Sequence, residues 1–242
     1  MTTRLDCVVI DSLDPVALAQ FWSEVTGWPI VMEEPDEVAV EPLSDADDGI
    51  ALVFVPVPVP KSAKNRIHLD VQSASLQEQV EIVDRLHALG AVRVDVGQRA
   101  VPWTVLADPE GNELCVLEPR EEYRDTGPIA AVVMDAIAPT MLATFWSAAT
   151  GWPVTRGGPH FSAMRSGTGR GPYLELIRAM DTKVVKNRLH LDVAPLAGDD
   201  QAGEVKRLRS LGATFADVGQ GDVPWVVLAD PEGNEFCVLP PR

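Results

Sequence analysis

The strongest constraint on this chain is that it repeats itself. FWSEVTGWP (Phe21 to Pro29) returns as FWSAATGWP (Phe145 to Pro153), 124 residues later. KNRIHLDV (Lys64 to Val71) returns as KNRLHLDV (Lys186 to Val193), and VPWTVLADPEGNELCVL (Val101 to Leu117) as VPWVVLADPEGNEFCVL (Val223 to Leu239), both at an offset of 122. Three blocks recurring in the same order mark a duplicated unit. The 242 residues therefore divide into two units, 1–120 and 127–242, each of domain size. The stretch between them, PREEYRDTGP (Pro119 to Pro128), is charged, carries Pro and Gly, and reads as an exposed linker.

Within a unit the pattern is strand and helix, then short strands, twice over. Leu5 to Ile10 is the first strand candidate. Asp14 can cap a helix whose first position is Pro15, and Leu18, Phe21, Trp22 and Val25 follow helical spacing up to Gly27, a residue suited to the left-handed turn that ends a helix. Pro139, Leu142, Phe145, Trp146, Ala149 and Gly151 repeat this in the second unit. Strand candidates follow at Val38 to Val40, Ile50 to Val55 and Arg66 to Val71. Leu76, Val83, Leu86 and Leu89 then give a second amphipathic helix closed by Gly90. Trp103 to Ala107 and Glu113 to Leu117 alternate around DPEGN as a β-hairpin.

Composition narrows the partners. Lys and Arg number 20 against 36 Asp and Glu, a net charge of −16 that opposes approach to nucleic acid or to an anionic membrane surface. The most apolar stretch, Ile50 to Pro60, is interrupted by prolines and is far shorter than the roughly 20 residues needed to cross a bilayer. Asp6 and Asp11 interrupt the N-terminal region before any long apolar run, which speaks against a secretory segment. Three widely spaced cysteines, Cys7, Cys115 and Cys237, do not make a disulfide framework, and together these features predict a cytoplasmic protein.

The opening strand and helix ending in FWSEVTGW, the KNRIHLDV strand and the closing LADPEGNELCVL resemble the vicinal oxygen chelate superfamily (glyoxalase/bleomycin resistance/dioxygenase), and its glyoxalase-like subgroup in particular. The resemblance spans nearly the whole chain twice. It implies an α+β fold of two tandem domains, each of paired βαβββ modules whose strands curl into a cup-shaped mixed sheet with helices on the convex side. Ligand or metal would sit in the cup. Alternation along Arg66 to Val71 puts Ile67, Leu69 and Val71 under the helices and Arg66, His68 and Asp70 on the cup face; Arg188, His190 and Asp192 match them. On the last strand Glu113, Cys115 and Leu117, or Glu235, Cys237 and Leu239, face the cup, with Trp103 and Trp225 beside them.

Metalloenzymes of the superfamily take His and Glu ligands from the first, fourth, fifth and eighth strands of a domain. Carried over, those positions are Cys7, Val53, His68 and Cys115 in unit one and Ala131, Glu175, His190 and Cys237 in unit two. The usual ligand set is broken, so no metal ligands are assigned and no cofactor is expected. A divalent metal is retained as the less favoured reading: Cys7, His68 and Cys115 would make a Cys2His zinc site, and Glu175, His190 and Cys237 a weaker one. A strand histidine or cysteine can equally be a packed cup residue.

The expectation is a small-molecule ligand held in a metal-free cup, as in the drug-sequestering bleomycin-resistance branch. His68, Trp103, Cys115, Trp225, Cys237 and His160 are the ligand-binding candidates. The alternative is a lyase, isomerase or dioxygenase, metal-dependent or using Glu175 and His190 as a catalytic acid/base pair if their strands are adjacent. A third reading makes unit one, with Val53 at the position of Glu175, a degenerate structural partner. A fused tandem can satisfy internally the pairing that single-domain members achieve as dimers, which predicts a monomer or weak homodimer. Ligand identity would reside in loops 33–48 and 156–171, which differ most between the units.

Overall fold

The computed structural model describes residues 3–43 and 49–242; residues 44–48, in the first of the two variable loops, lie outside the described residues. Four βαβββ modules follow one another. The first is β1 (Thr3–Ser12), α1 (Pro15–Thr26), β2 (Ile30–Glu33), β3 (Val38–Val40) and β4 (Ala51–Pro56). The second is β5 (Ile67–Val71), α2 (Leu76–Ala88), β6 (Val92–Arg93), β7 (Thr104–Ala107) and β8 (Glu113–Val116). In the second unit come β9 (Ile129–Ala136), α3 (Pro139–Thr150), β10 (Val154–Gly158), β11 (Phe161–Met164) and β12 (Tyr173–Arg178), then β13 (Leu189–Pro195), α4 (Gln201–Ser210), β14 (Thr214–Phe215), β15 (Val226–Ala229) and β16 (Glu235–Val238).

Local signals act as their chemistry predicts. The Asp14 carboxylate accepts from Ala17 N, Pro15 opens α1, and Gly27 closes it at φ 72° with its N–H on Ser23 O. Leu18, Phe21, Trp22 and Val25 are buried in one apolar cluster with Ile67, Leu69, Val71, Leu114 and Val116, the β5 and β8 side chains that alternation turns away from the cup.

The two eight-stranded sheets run β14-β15-β16-β13-β1-β4-β3-β2 and β10-β11-β12-β9-β5-β8-β7-β6. Each sheet takes one module from each unit. β1 pairs antiparallel with β13, and β5 with β9, so the unit boundary divides the sequence while both sheets cross it. Within a module the first strand is covered on one side by a parallel neighbour, β4 for β1 and β8 for β5. Its other edge offers unpaired N–H and C=O groups that need a partner. That partner is the first strand of a module from the other unit. Pro56, Pro58 and Pro60 restrict the backbone of the β4–β5 connection. The matching segment 179–188 has no proline, so the exchange rests on strand pairing. We call the sheet of the first and fourth modules cup I, and that of the second and third modules cup II.

The repeated motifs join the two sheets. Asp108, in the DPEGN turn, accepts from Glu110 N, Asn112 N and Asn112 Nδ2, and also from Trp22 Nε1 of α1 in the other sheet at 3.3 Å. Glu110 accepts from Ser12 Oγ, Leu13 N and Asp14 N at the start of α1, and from Arg188 Nη2 at 2.9 Å. Asp230 bonds Trp146 Nε1 in the same way, and Glu232 accepts from Ile137 N and Ala138 N. Ala138, at the cap position before α3, has no side chain that can cap the helix, so Glu232 supplies that end from the other sheet.

Removing the Glu110 carboxylate strips partners from two backbone N–H groups and from the Arg188 guanidinium, whose side chain is almost wholly enclosed. Glu110→Ala should therefore cost about 3 kcal/mol, lowering Tm by roughly 6–12 °C at this chain length, measured by thermal unfolding. Glu232→Ala, whose arginine partner Arg66 stands farther off at 3.6 Å, should cost less.

Candidate functional site

The pairing of modules across units redistributes the candidate residues. Cup I holds Cys7 on β1, Val53 on β4, His190 and Asp192 on β13, and Cys237 on β16; the register places Cys7 and Cys237 on either side of Asp192, and Val9 between His190 and Val53. Cup II holds Ala131 on β9, Glu175 on β12, His68 and Asp70 on β5, and Cys115 on β8. Glu175 and His190 lie in different sheets, because β12 pairs with β9 while β13 pairs with β1. The acid/base pair expected from sequence is not assembled. The expected Cys7, His68 and Cys115 trio fails for the same reason, as Cys7 is in cup I. So does the Glu175, His190 and Cys237 set, and Val53 and Glu175 are not equivalent halves of one degenerate and one intact unit: each belongs to a cup built from both units.

A different group is assembled in each cup. His68, Asp70 and Cys115 bring donor atoms within 4.8 Å of one another, as do His190, Asp192 and Cys237. In both, histidine Nε2 stands 3.4 Å from the aspartate Oδ1, and that oxygen has no hydrogen-bond partner although Asp70 is only 8% and Asp192 7% exposed. Sequence reasoning placed both aspartates on the cup face by alternation without giving them a role. Their spacing two residues after each histidine was the available signal.

Burial sets the charge of cup I. It pushes the His190 pKa down to about 3, helped by nearby Lys186. It also drives Asp192 up to about 7, with Asp6 adding to the rise and hydrogen bonding from Cys237 opposing it. The Cys237 and Cys7 thiols are pushed up by burial and by Asp192. At neutral pH the cup therefore presents a neutral imidazole and two thiols beside a partly protonated carboxyl, over an aliphatic floor of Ala194, Val227 and Leu239. Trp225, 37% exposed, precedes β15, whose Val227 pairs with Cys237.

Cup II is occupied by the chain itself. The linker forms a 3-10 turn, Glu121–Tyr123, and Tyr123 is buried among Val105, Cys115, Leu117, Ala131, Val133 and Tyr173. The linker was expected to be exposed; its one aromatic residue finds an apolar cup, while Glu121, Glu122 and Arg124 remain outside. Tyr123 Oη donates to Glu175 Oε1 at 3.0 Å, and Arg156 Nη2 to the same oxygen at 2.8 Å. Burial raises the Glu175 pKa, opposed by these two partners. The Cys115 thiol is pushed up by burial and by Asp70. Trp103, before β7, packs on this floor with the Arg120 guanidinium 5.5 Å from its ring centre. Tyr123, Arg156 and Tyr173 carried no motif or spacing that marked them from sequence.

His160 lies exposed in the turn between the edge strand β10 and its neighbour β11, three positions before Ala163, which pairs with Glu175. That separation is roughly 10 Å along a strand, so the turn does not bring His160 to the buried group. Two clefts of about 690 and 370 Å3 lie outside the cups, both bordered by Thr26, Gly27 and Pro128, and neither lining includes a candidate residue.

The superfamily's four metal positions do not supply its His/Glu set in either cup. Val53 and Ala131 offer no donor, and Glu175 is engaged by Arg156 and Tyr123. Among the described residues, the donors that could hold a soft divalent cation are the His/Asp/Cys groups, with an orphaned aspartate oxygen in each.

The His190 shift has a measurable consequence. The unfolded chain takes up this proton near pH 6.5 and the folded chain only near pH 3, so His190 contributes a loss of stability as pH falls through that window. His190→Gln should flatten the acid limb of a stability-against-pH curve from denaturant unfolding by up to about one proton.

The family model for a glyoxalase-like domain matches residues 7–117 and again 131–239. Among solved structures, glyoxalase I from Zea mays superposes with a TM-score of 0.65 at 11% identity, over 99% of this chain and 92% of that one. A putative dioxygenase from Bacillus subtilis subsp. subtilis str. 168 gives 0.62 at 13% identity, over 99% and 85%. At such identities the likeness concerns the fold. A search of curated proteins finds no significant match. Two family-model matches, covering most of the sequence, and four βαβββ modules in two mixed sheets place this chain in the glyoxalase-like domain family.

Proposed function

We propose that this protein binds a small, largely uncharged organic molecule in cup I, without a metal. The observation that carries the reading is the contrast between the cups: cup II is filled by Tyr123, whereas cup I pairs a low-charge group of His190, Asp192, Cys7 and Cys237 with the partly exposed Trp225. A concave apolar surface with a few convergent polar groups is the usual form of a small-molecule site. Of the candidates read from sequence, His190, Trp225 and Cys237 belong to this site, and His68, Trp103, Cys115 and Glu175 to the filled cup. Sequestration in the manner of the bleomycin-resistance branch fits a cup that holds a molecule without transforming it.

A second reading is favoured by the donor groups: a lyase, isomerase or dioxygenase of the superfamily in which His190, Asp192 and Cys237 hold a divalent cation. Such an ion would supply Lewis-acid stabilisation of an oxyanion. Metal analysis after dialysis separates the two, near-stoichiometric zinc, iron or manganese overturning the first.

The fused chain supplies the β1–β13 and β5–β9 pairings internally, which supports a monomer or weak homodimer as the working state. Three buried free thiols suit a reducing, cytoplasmic setting. No helix among the described residues is long and apolar enough to cross a membrane. The formal charge of −16 argues against a nucleic-acid partner.

The site is tested by filling it. Val53 is partly exposed on the cup face of β4. Compounds that raise Tm in a small-molecule thermal-shift screen should lose at least about tenfold in affinity in Val53→Trp. They should keep their affinity in Trp103→Phe, a change confined to cup II. Hits unaffected by Val53→Trp would place binding elsewhere.

A further inference from the structure

The linker residue in cup II is held as a ligand would be. Tyr123 is 3% exposed although it belongs to the connection between two units. Its hydroxyl donates to Glu175, a strand carboxylate far along the chain, at 3.0 Å. Its ring meets Tyr173 edge-on, 5.8 Å between centres at 76°. Two guanidinium groups stand by that ring, Arg120 at 5.7 Å and Arg156 at 5.7 Å, and Arg156 also covers Tyr173 at 4.7 Å. Charge-assisted hydrogen bonding, edge-to-face packing and cation–π attraction thus converge on one phenol ring.

Most of this cage stands without the linker. Glu175, Tyr173 and Arg156 come from β12 and β10, and the floor from β7, β8, β9 and β11. Arg156 is oriented by Glu175, and Glu175 is fixed in the sheet by pairing with Val133 and Ala163. The linker is tied down separately: Thr126 Oγ1 donates to Tyr123 O, and Arg165 Nη2 and Gly171 N donate to Asp125 O. A buried carboxylate and a guanidinium sharing one oxygen with a phenolic hydroxyl form a recognition arrangement that a plain apolar plug would not need.

We propose that cup II is a phenol-binding site which the chain occupies with its own Tyr123, and that a free 4-alkylphenol takes the same position when the tyrosine ring is removed or displaced. The tethered ring acts as an intramolecular competitor at millimolar-range effective concentration, so an external phenol meets a closed cup in the intact chain. This inference concerns cup II alone and is independent of the function proposed for cup I.

Isothermal titration calorimetry with 4-methylphenol, the tyrosine side chain without its backbone, tests it on Tyr123→Ala. The variant should bind one equivalent at least tenfold more tightly than the intact protein, and more tightly than it binds toluene, which has the ring and methyl group without the hydroxyl. Adding Glu175→Leu should weaken 4-methylphenol at least tenfold and leave toluene within about twofold, since a hydrogen bond to a charged group carries that much discrimination. Equal affinity for the two compounds, or no effect of Glu175→Leu, would show a featureless cavity and overturn the proposal.

Trypsin cleavage of the intact protein tests it without depending on how the variant folds. Arg124 is next to Tyr123 in the linker and its side chain is 69% exposed. Saturating 4-methylphenol should accelerate cleavage after Arg124 several-fold by releasing the linker, and toluene should not. An unchanged rate with 4-methylphenol would likewise count against the proposal.

Discussion

The two sheets depend on a polar clamp. Trp22 and Trp146 are nearly wholly buried, and each spends its single indole N–H on an aspartate in the turn of the opposite sheet, Asp108 or Asp230. Burial raises the pKa of both carboxyls, opposed only in part by the hydrogen bonds from asparagine, backbone and tryptophan. The neighbouring Glu110 and Glu232 reach across to the strand-to-helix corners of the other sheet. Enclosed polar groups of this kind are costly unless satisfied, so they tolerate few relative positions of the two sheets. Of the residues repeated in both units, FW, KNR and DPEGN serve this clamp, whereas the repeated HLD and the cysteine of the last strand face the cups.

Exchange of modules between the units decides what each cup can do. Had each unit closed on itself, Glu175 would share a cup with His190, and Cys7 with His68. Pairing β1 with β13 and β5 with β9 instead gives one cup with two thiols and a neutral imidazole, and another with a buried carboxylate–arginine pair. The duplicated units have diverged at these facing positions, Cys7 against Ala131 and Val53 against Glu175, while the histidine and aspartate of the fifth-strand position stay the same in both. The result is two cups with a common His/Asp/Cys group and different walls. The linker then fills the more aromatic of the two.

The sequence by itself determined the local structure and the family. Asp14–Pro15, Gly27, the apolar stripe of α1 and the DPEGN hairpin work through neighbours a few residues away, so their chemistry is legible in order along the chain. Alternation likewise assigned His68, Asp70 and Cys115 to one face, because side-chain direction in a strand is a local property. Which face of one strand meets which of another is set by long-range pairing. The edge of β1 offers the same backbone groups to β5 or to β13, and nothing in its own residues chooses between them. Only the tertiary structure decided that Glu175 and His190 are separated and that Tyr123, in a linker whose charges suggested exposure, is buried. The reason is the same in both cases: these are contacts between residues far apart in sequence, settled by the packing of whole modules.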